Sequence, residues 1–380
     1  MKNIKRIVFP LFKLLNIINK ILYKRKDKIV FYSNLGFRDN VKALYDYLID
    51  NNYNEKYKII CSVNDYQKYR NIKKKNVTFV SNYKGILHFL TSKYFFYSFG
   101  KYPIKPSRKQ KVINLWHGTP LKNIGNLERD KKNIDYNFFS NILATSDVFA
   151  DVMKDAFNCE SDQVIICGHP RNDLLFKPRR APFNKHKKLV LWLPTFRNSD
   201  LEKGISSNDK SNIPMFTNHE QMAQLNEYLK ESNIELMIKL HLRQDYDKEK
   251  FKQYKNIYIW NDRDFQKEGI NLYQLLGSAD ALITDYSSVY FDFLLLNRPI
   301  AFTIKDIEQY KKERGFVFDH PEEYMPGQKV VNQTQFYEFL KNVSRNHDEY
   351  EPDREWVNTE ANRYTDGANC ERILTIVGIK

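Results

Sequence analysis

Apolar and polar positions along this chain follow two alternating periods. Short runs rich in β-branched and aromatic residues predict strands: KIVFYS from Lys28, YKIIC from Tyr57, VTFVS from Val77, YFFYS from Tyr94, VINLWHG from Val112, NILATS from Asn141 and QVIICG from Gln163. Stretches of helical period lie between them, near Asn40 to Asp50 and Val148 to Phe157. A break follows at residues 176–188, FKPRRAPFNKHKK, which has two prolines and no apolar period and reads as a linker. The alternation then restarts with KLVLWLP from Lys188, a helix near Gln221 to Ser232, IELMIKLH from Ile234, NIYIW from Asn256, ADALITD from Ala279 and RPIAF from Arg298. Residues 198–215 are polar and predict a loop, and a closing helix is expected from Ala361 to Val377. Strands alternating with helices imply a mostly parallel sheet covered on both faces. The expected fold class is therefore α/β, with two doubly wound, Rossmann-like domains over residues 28–180 and 181–360. Residues 1–27 precede them and 361–380 close the chain.

A length of 380 residues suits two such domains, and 42% hydrophobic residues with 14% aromatic suffice for two cores. The four cysteines, Cys61, Cys159, Cys167 and Cys370, are scattered without a CxxC pair, so neither a disulfide framework nor a zinc knuckle is indicated. Charge changes the picture more. The net charge of +15 calls for an anionic partner, and about half of it sits in residues 1–28, where nine basic side chains face the single acid Asp27. Between those charges, Ile7 to Tyr23 places Lys13, Asn16, Lys20 and Lys24 at helical spacing, with Phe9, Phe12, Leu15, Ile18 and Leu22 on the other side. At 17 residues with two internal lysines the segment is shorter than a spanning helix requires. The expectation is an amphipathic helix lying on an anionic membrane surface, with packing against the protein body as the alternative. No nucleic-acid module accompanies the other basic runs, so nucleic acid is not an expected partner.

Two doubly wound units form a cleft between the C-terminal ends of their strands, and the chemically suggestive residues fall there. His117 follows VINLW, Gly168 follows QVIIC, Thr195 follows LVLWLP, His241 follows LMIKL and Asp285 follows ALIT. Ser287 and Ser288 stand where a strand gives way to a helix, an arrangement that suits a phosphate; an ordinary serine helix cap is the bland alternative. Lys239 and His241 lie one strand step apart on one face and supply charge for a leaving phosphate, with Arg243 nearby. His117, across the cleft, is placed to take a proton from an attacking hydroxyl, although its Gly and Pro neighbours also read as a plain tight turn. Asp245-Tyr246-Asp247 and Asp262-Arg263-Asp264 match the D-x-D pattern of some metal-using transferases, but neither directly follows an apolar strand. No metal or other cofactor is expected.

Taken together, WHGTPLKNIG (Trp116 to Gly125), GHPRND (Gly168 to Asp173), LPTFR (Leu193 to Arg197), KLH (Lys239 to His241), TDYSSVYFDF (Thr284 to Phe293), NRPIAF (Asn297 to Phe302), ERGFVFD (Glu313 to Asp319), the Pro326-Gly327 pair and YTDGANCERI (Tyr364 to Ile373) resemble the CDP-glycerol glycerophosphotransferase family, the teichoic acid primases and polymerases. The match runs in order from about residue 112 to 373. The resemblance implies a glycosyltransferase-B-like fold whose C-terminal domain holds the donor CDP-glycerol. A membrane-anchored, polyprenyl-linked acceptor then approaches from the N-terminal one at the cytoplasmic membrane face. It implies transfer of glycerol phosphate to an acceptor hydroxyl with release of CMP. In that light His117 is the candidate general base and His241 the candidate acid or phosphate-binding residue. Arg171, Pro194, Thr195, Ser287, Ser288 and Asp292 match donor-binding positions. Trp116, Gly118, Thr119 and Pro120 of the first motif, and Lys239 and Leu240 of the second, are placed around the same donor.

One departure bears on the donor. Many members carry Pro after the second motif's His, whereas here His241 is followed by Leu242, Arg243 and Gln244, which leaves CDP-ribitol or another CDP-polyol open. Two other classes stay in view: a nucleotide-sugar glycosyltransferase of the same fold, and an inactive membrane-surface scaffold. The acceptor, the number of additions, wall polymer against capsule, and the oligomeric state, homo-oligomer included, are not readable from the sequence.

Overall fold

The computed structural model describes residues 2–194, 213, 215–240 and 251–380, with side chains from Phe12 onward. It divides into two compact units, one of Met1–Thr119, Ile124–Asp173 and Ala361–Lys380, the other of Pro120–Asn123 and Leu174–Glu360.

The first unit is built on seven strands, β1 (Arg25–Ser33), β2 (Lys58–Val63), β3 (Val77–Val80), β4 (Ser92–Tyr97), β5 (Lys111–Asn114), β6 (Asn141–Ala144) and β7 (Val164–Ile166). They lie in the order β3-β2-β1-β4-β5-β6-β7 and every pairing is parallel. Side chains alternate between two cores: Ile29 and Phe31 of β1 enter one, Val30 and Tyr32 the other. Helices α1 (Lys2–Ile21), α3 (Asn82–Thr91) and α4 (Asp147–Phe157) cover the Val30 face, while α2 (Asp39–Asp50) and the helix Asn369–Val377 cover the Ile29 face. Because both faces are buried, these strands read as near-continuous apolar runs.

The second unit repeats the plan with β8 (Lys188–Trp192), β9 (Ile234–Lys239), β10 (Ile257–Trp260), β11 (Ala281–Thr284), β12 (Ile300–Thr303) and β13 (Gln328–Val330). Their order is β10-β9-β8-β11-β12-β13, again all parallel. Trp192, Leu236 and Ile238 pack with Met222, Leu225 and Leu229 of α5 (His219–Glu231) and with Phe336 and Leu340 of the helix Gln333–Ser344. In both sheets the chain crosses over beside its first strand, so switch points fall between β1 and β4 and between β8 and β11. Ligands of open α/β sheets bind outside the carboxyl ends of strands at such points.

The structure departs from the sequence expectations in three places. Strand β13 has only three residues, Gln328 to Val330, too few to show a period. The expected closing helix from Ala361 to Val377 is two helices, Glu351–Ala361 and Asn369–Val377, parted by a segment in which Gly367 takes φ +68°. The third departure is the face of α1 expected to enter a membrane.

Phe12, Leu15 and Ile18 of α1 and Leu22 just after it pack on the sheet's Val30 core instead. A buried polar network explains the choice. Asn19, fully buried, donates to the carbonyl of Lys105 at 3.0 Å and to Gln110 Oε1 at 2.7 Å, and accepts from Lys24 Nζ at 2.7 Å. Gln110 in turn donates to the carbonyls of Phe89 and Ser92, so the network ties α1 to the end of α3 and the start of β4. Burial pushes the Lys24 ammonium down to about 8. A membrane-inserted face could not carry this asparagine, because hydrocarbon offers it no partner. Replacing Asn19 with Ala leaves buried donors and acceptors unpaired and lowers stability by roughly 1–3 kcal/mol in urea unfolding. Unchanged stability would show that α1 is only loosely attached.

Candidate functional site

In the first unit, the chain leaving β5 turns through Trp116, His117, Gly118 and Thr119. Trp116 has φ +52°, a left-handed conformation that is strained for a bulky side chain, and Gly118 has φ +131°. Asn114 Oδ1 accepts the Trp116 N–H at 3.0 Å and starts the turn. The His117 ring is half-buried and lies between two aromatic rings, stacked on Trp116 at 4.0 Å and on Phe99 at 5.1 Å. Phe99 also takes the Arg38 guanidinium over its face at 5.5 Å. Thr119 is buried with its hydroxyl 3.1 Å from that of Thr145. Pro120 is buried too, but the four residues from Pro120 to Asn123 group with the second unit, where Lys122 bridges to Phe316 and Asn123 N–H donates to the Gly315 carbonyl at 3.1 Å.

Arg171, expected at the donor, is buried in the first unit. Its Nη1 donates to both carboxylate oxygens of Asp39, at 2.9 and 3.0 Å, and to the His117 carbonyl at 3.0 Å. The rest of the GHPRND segment holds the C-terminal helix. The Asp173 carboxylate accepts the backbone N–H groups of Asn369 and Cys370, both at 2.8 Å, and the Asn369 side chain donates to the His169 carbonyl at 3.2 Å. Gly168, at φ +79°, packs so closely on Asn369 that a Cβ would lie 2.4 Å from its side-chain oxygen. GHPRND and DGANC, far apart in sequence, are thus one contact. The loop after β4 contributes Lys101 and Lys105 over the Phe138 ring, each at 4.3 Å, and burial pushes the Lys101 ammonium down to about 8.

In the second unit, the expected residues gather at the C-terminal ends of the adjacent strands β9, β8 and β11. Pro194 follows β8 and is half-buried. Lys239 ends β9 with its ammonium 2.9 Å from Asp262, and Leu240 is buried with its N–H on the Trp260 carbonyl at 2.9 Å. Asp264 accepts the Asn261 N–H at 3.0 Å in a capping box, so these two acids of the D-x-D triplet have local partners. Thr195, His241, Leu242, Arg243 and the Asp245-Tyr246-Asp247 triplet lie outside the described residues. After β11, Ser287 and Ser288 are half-buried and the helix Val289–Phe293 begins. Ser288 stands at its N-cap but makes no side-chain capping bond, so the plain cap reading is not what the structure has. Asp292 is fully buried and accepts the Tyr273 hydroxyl at 2.6 Å.

Sequence reasoning missed Arg38, Asp39, Asn40 and Phe99. All of them follow β1 or β4, the two strands at the switch point, so the strand-end rule pointed at them. They lacked a histidine or serine to draw attention. Among the described residues there is no group of His, Cys, Asp or Glu arranged to hold a metal ion.

The site can be set beside known proteins. A family profile described as CDP-Glycerol:Poly(glycerophosphate) glycerophosphotransferase matches residues 14–378. The chain is 30% identical to a teichoic acid glycerol-phosphate primase of Bacillus subtilis (strain 168), over 71% of this chain and 68% of that protein. It is 29% identical to a teichoic acid poly(glycerol phosphate) polymerase of Bacillus spizizenii, over 87% of this chain and 89% of the other. The solved structure of the wall teichoic acid polymerase TagF superposes with a TM-score of 0.74 at 20% identity, covering 99% of this chain and 95% of that one, and the two share a fold.

The Asp173 contacts make a prediction. Asp173→Ala removes two charge-assisted bonds to the N-terminus of the helix Asn369–Val377 and should cost about 3 kcal/mol in urea unfolding. A variant as stable as the parent would mean that the helix is held by packing alone.

Proposed function

The chain belongs to the CDP-glycerol:poly(glycerophosphate) glycerophosphotransferase family, and from that premise we propose how its residues divide the transfer of glycerol phosphate from CDP-glycerol in teichoic acid synthesis. The observation that carries the reading is the His117 ring, held between Trp116 and Phe99 at a strand end beside the first unit's switch point yet not fully buried. An imidazole fixed in this way can accept a proton from an incoming hydroxyl. The acceptor is a hydroxyl on a polyprenyl-linked carrier. Its oxygen forms a bond to the phosphorus that bears glycerol, the bond from that phosphorus to the bridging oxygen breaks, and CMP departs with the electron pair. His117 takes the hydroxyl proton.

Phosphoryl transfer depends mainly on alignment and charge neutralisation. The donor's pyrophosphate meets the Ser287 and Ser288 hydroxyls and the backbone N–H groups beside them, together with the Lys239 ammonium; His241 completes this set as the phosphate-binding or acid residue. Arg171 acts on the His117 side of the reaction in this reading, because its Nη1 is engaged by Asp39 and the His117 carbonyl.

The enzyme works at a membrane surface through the other side of α1. Leu14, Ile17 and Ile21 recur at helical spacing on the side away from the core and are 53%, 58% and 78% exposed. Lys13 and Lys20 flank them, and the neighbouring α3 adds exposed Tyr83 and Leu87 with Lys84 between. Apolar side chains bordered by lysines suit the headgroup boundary of anionic lipid. No helix among the described residues is long and apolar enough to cross a membrane.

Three outcomes follow. Incubation with CDP-glycerol and a lipid-linked acceptor analogue adds glycerol phosphate to the acceptor by mass spectrometry; addition only from CDP-ribitol would reassign the polyol, and addition of a sugar from a nucleotide sugar would overturn the reaction. Ser287→Ala combined with Ser288→Ala raises the donor dissociation constant by ~100-fold, as the loss of two hydrogen bonds to a charged group implies, and an unchanged constant would remove the serines from the donor site. Ile17→Glu with Ile21→Glu abolishes sedimentation with anionic vesicles while leaving the fold intact, and continued sedimentation would place the membrane contact elsewhere.

A further inference from the structure

The turn that carries His117 is held by more than its own residues. Three consecutive carbonyls, those of Leu115, Trp116 and His117, are engaged by two side chains from distant parts of the first unit. Asn40 Nδ2 donates to Leu115 O at 3.3 Å and Trp116 O at 3.0 Å, and Arg171 Nη1 donates to His117 O at 3.0 Å. The two side chains are locked to each other, because Asn40 Oδ1 accepts the Arg171 backbone N–H at 3.0 Å. Asp39 completes the arrangement with its ion pair to Arg171, in which the side chains are 7% and 16% exposed.

Two features separate this from ordinary packing. Asp39 has φ +61° and Trp116 φ +52°, so both ends of the arrangement hold non-glycine residues in the left-handed region. Strain of this kind persists only where the surroundings over-determine it, and it gathers at functional sites. The hydrogen bonds also fall on the backbone immediately around the proposed base. A side chain carried on a turn is aimed by that turn's peptide planes, and here those planes are set from outside. We propose that Asp39, Asn40 and Arg171 form a clamp that aims the His117 imidazole at the acceptor hydroxyl, with Asp39 as a positioning residue that acts through Arg171. The inference rests on the reading of His117 as the general base. It gives Asp39 and Asn40 a role in the reaction and makes Arg171 a positioning residue.

Asp39→Asn is the informative variant, because asparagine accepts the left-handed conformation and keeps the side-chain size while removing the charge. Its kcat should fall by ~10- to 100-fold, the scale of a small misplacement of a reacting group. The KM for CDP-glycerol should stay near that of the parent, whereas the unfolding midpoint should fall, because the buried Arg171 loses its counter-charge. In the His117→Ala background the same change should cost nothing further, since a clamp has no work once the ring is gone. Losses that multiply in the double variant, or a folded Asp39→Asn with full kcat, overturn the clamp and leave the base reading standing. A His117→Ala enzyme that keeps its rate removes the base reading and the clamp's purpose with it. Should Asp39→Asn prove unstable, Arg171→Lys tests the same point: it retains the cation but ends one bond short of the Nη1 position. It too should lower kcat without raising the donor KM, and an unchanged kcat would count against the clamp.

Discussion

Parallel pairing of each sheet's first strand with its fourth is the constraint from which the rest follows. In the first unit β1 lies against β4, in the second β8 lies against β11, and every strand in each sheet runs the same way. All chain exits from a sheet therefore fall on one edge, and at the switch point the flanking connections diverge to opposite faces and leave room there. Polar residues that would be costly inside either core accumulate at that edge. Arg38, Asp39, Asn40 and His117 do so in the first unit, beside the rings of Phe99 and Trp116, and Lys239, Ser287 and Ser288 in the second.

The two edges are built differently. At the first, a strained turn is held by buried hydrogen bonds and an ion pair, and its product is one well-oriented imidazole between two rings. Taking one partner from such a buried pair leaves an uncompensated charge, so the arrangement is rigid by necessity. At the second edge the described groups suit an anion: hydroxyls at the start of a helix of only five residues and a lysine at a strand end. The short helix contributes little dipole, so the proposed donor contact there relies on the hydroxyls and local N–H groups. In the proposed reading the first edge supplies the base and the second the groups that neutralise charge, the two demands of phosphoryl transfer.

Much of this was legible in the sequence because parallel sheets buried on both faces write themselves as apolar runs. The runs from Lys28 to Gln163 and from Lys188 to Arg298 mark β1 to β7 and β8 to β12. Three residues of β13 carry no such signal. The amphipathic helix and its apolar side were legible, but what that side packs on was not, since the partners of Asn19, Lys105 and Gln110, are far off in the sequence. Asp292 reads as a donor ligand in a motif, whereas its burial and its bond to Tyr273 are tertiary facts. Arg171 differs for the same reason: a motif records that an arginine stands there, and its partner Asp39 lies 132 residues away.

In the proposed reading His117 takes the acceptor's proton, and a single-turnover measurement tests this. Enzyme preloaded with CDP-glycerol is mixed with acceptor, and the rate of CMP release is compared between the parent and His117→Ala. With His117 as the base, the rate falls ~10²- to 10⁴-fold in His117→Ala with an unchanged donor dissociation constant, the range for a lost general base. CMP release at the parental rate, or a loss confined to donor binding, would contradict it.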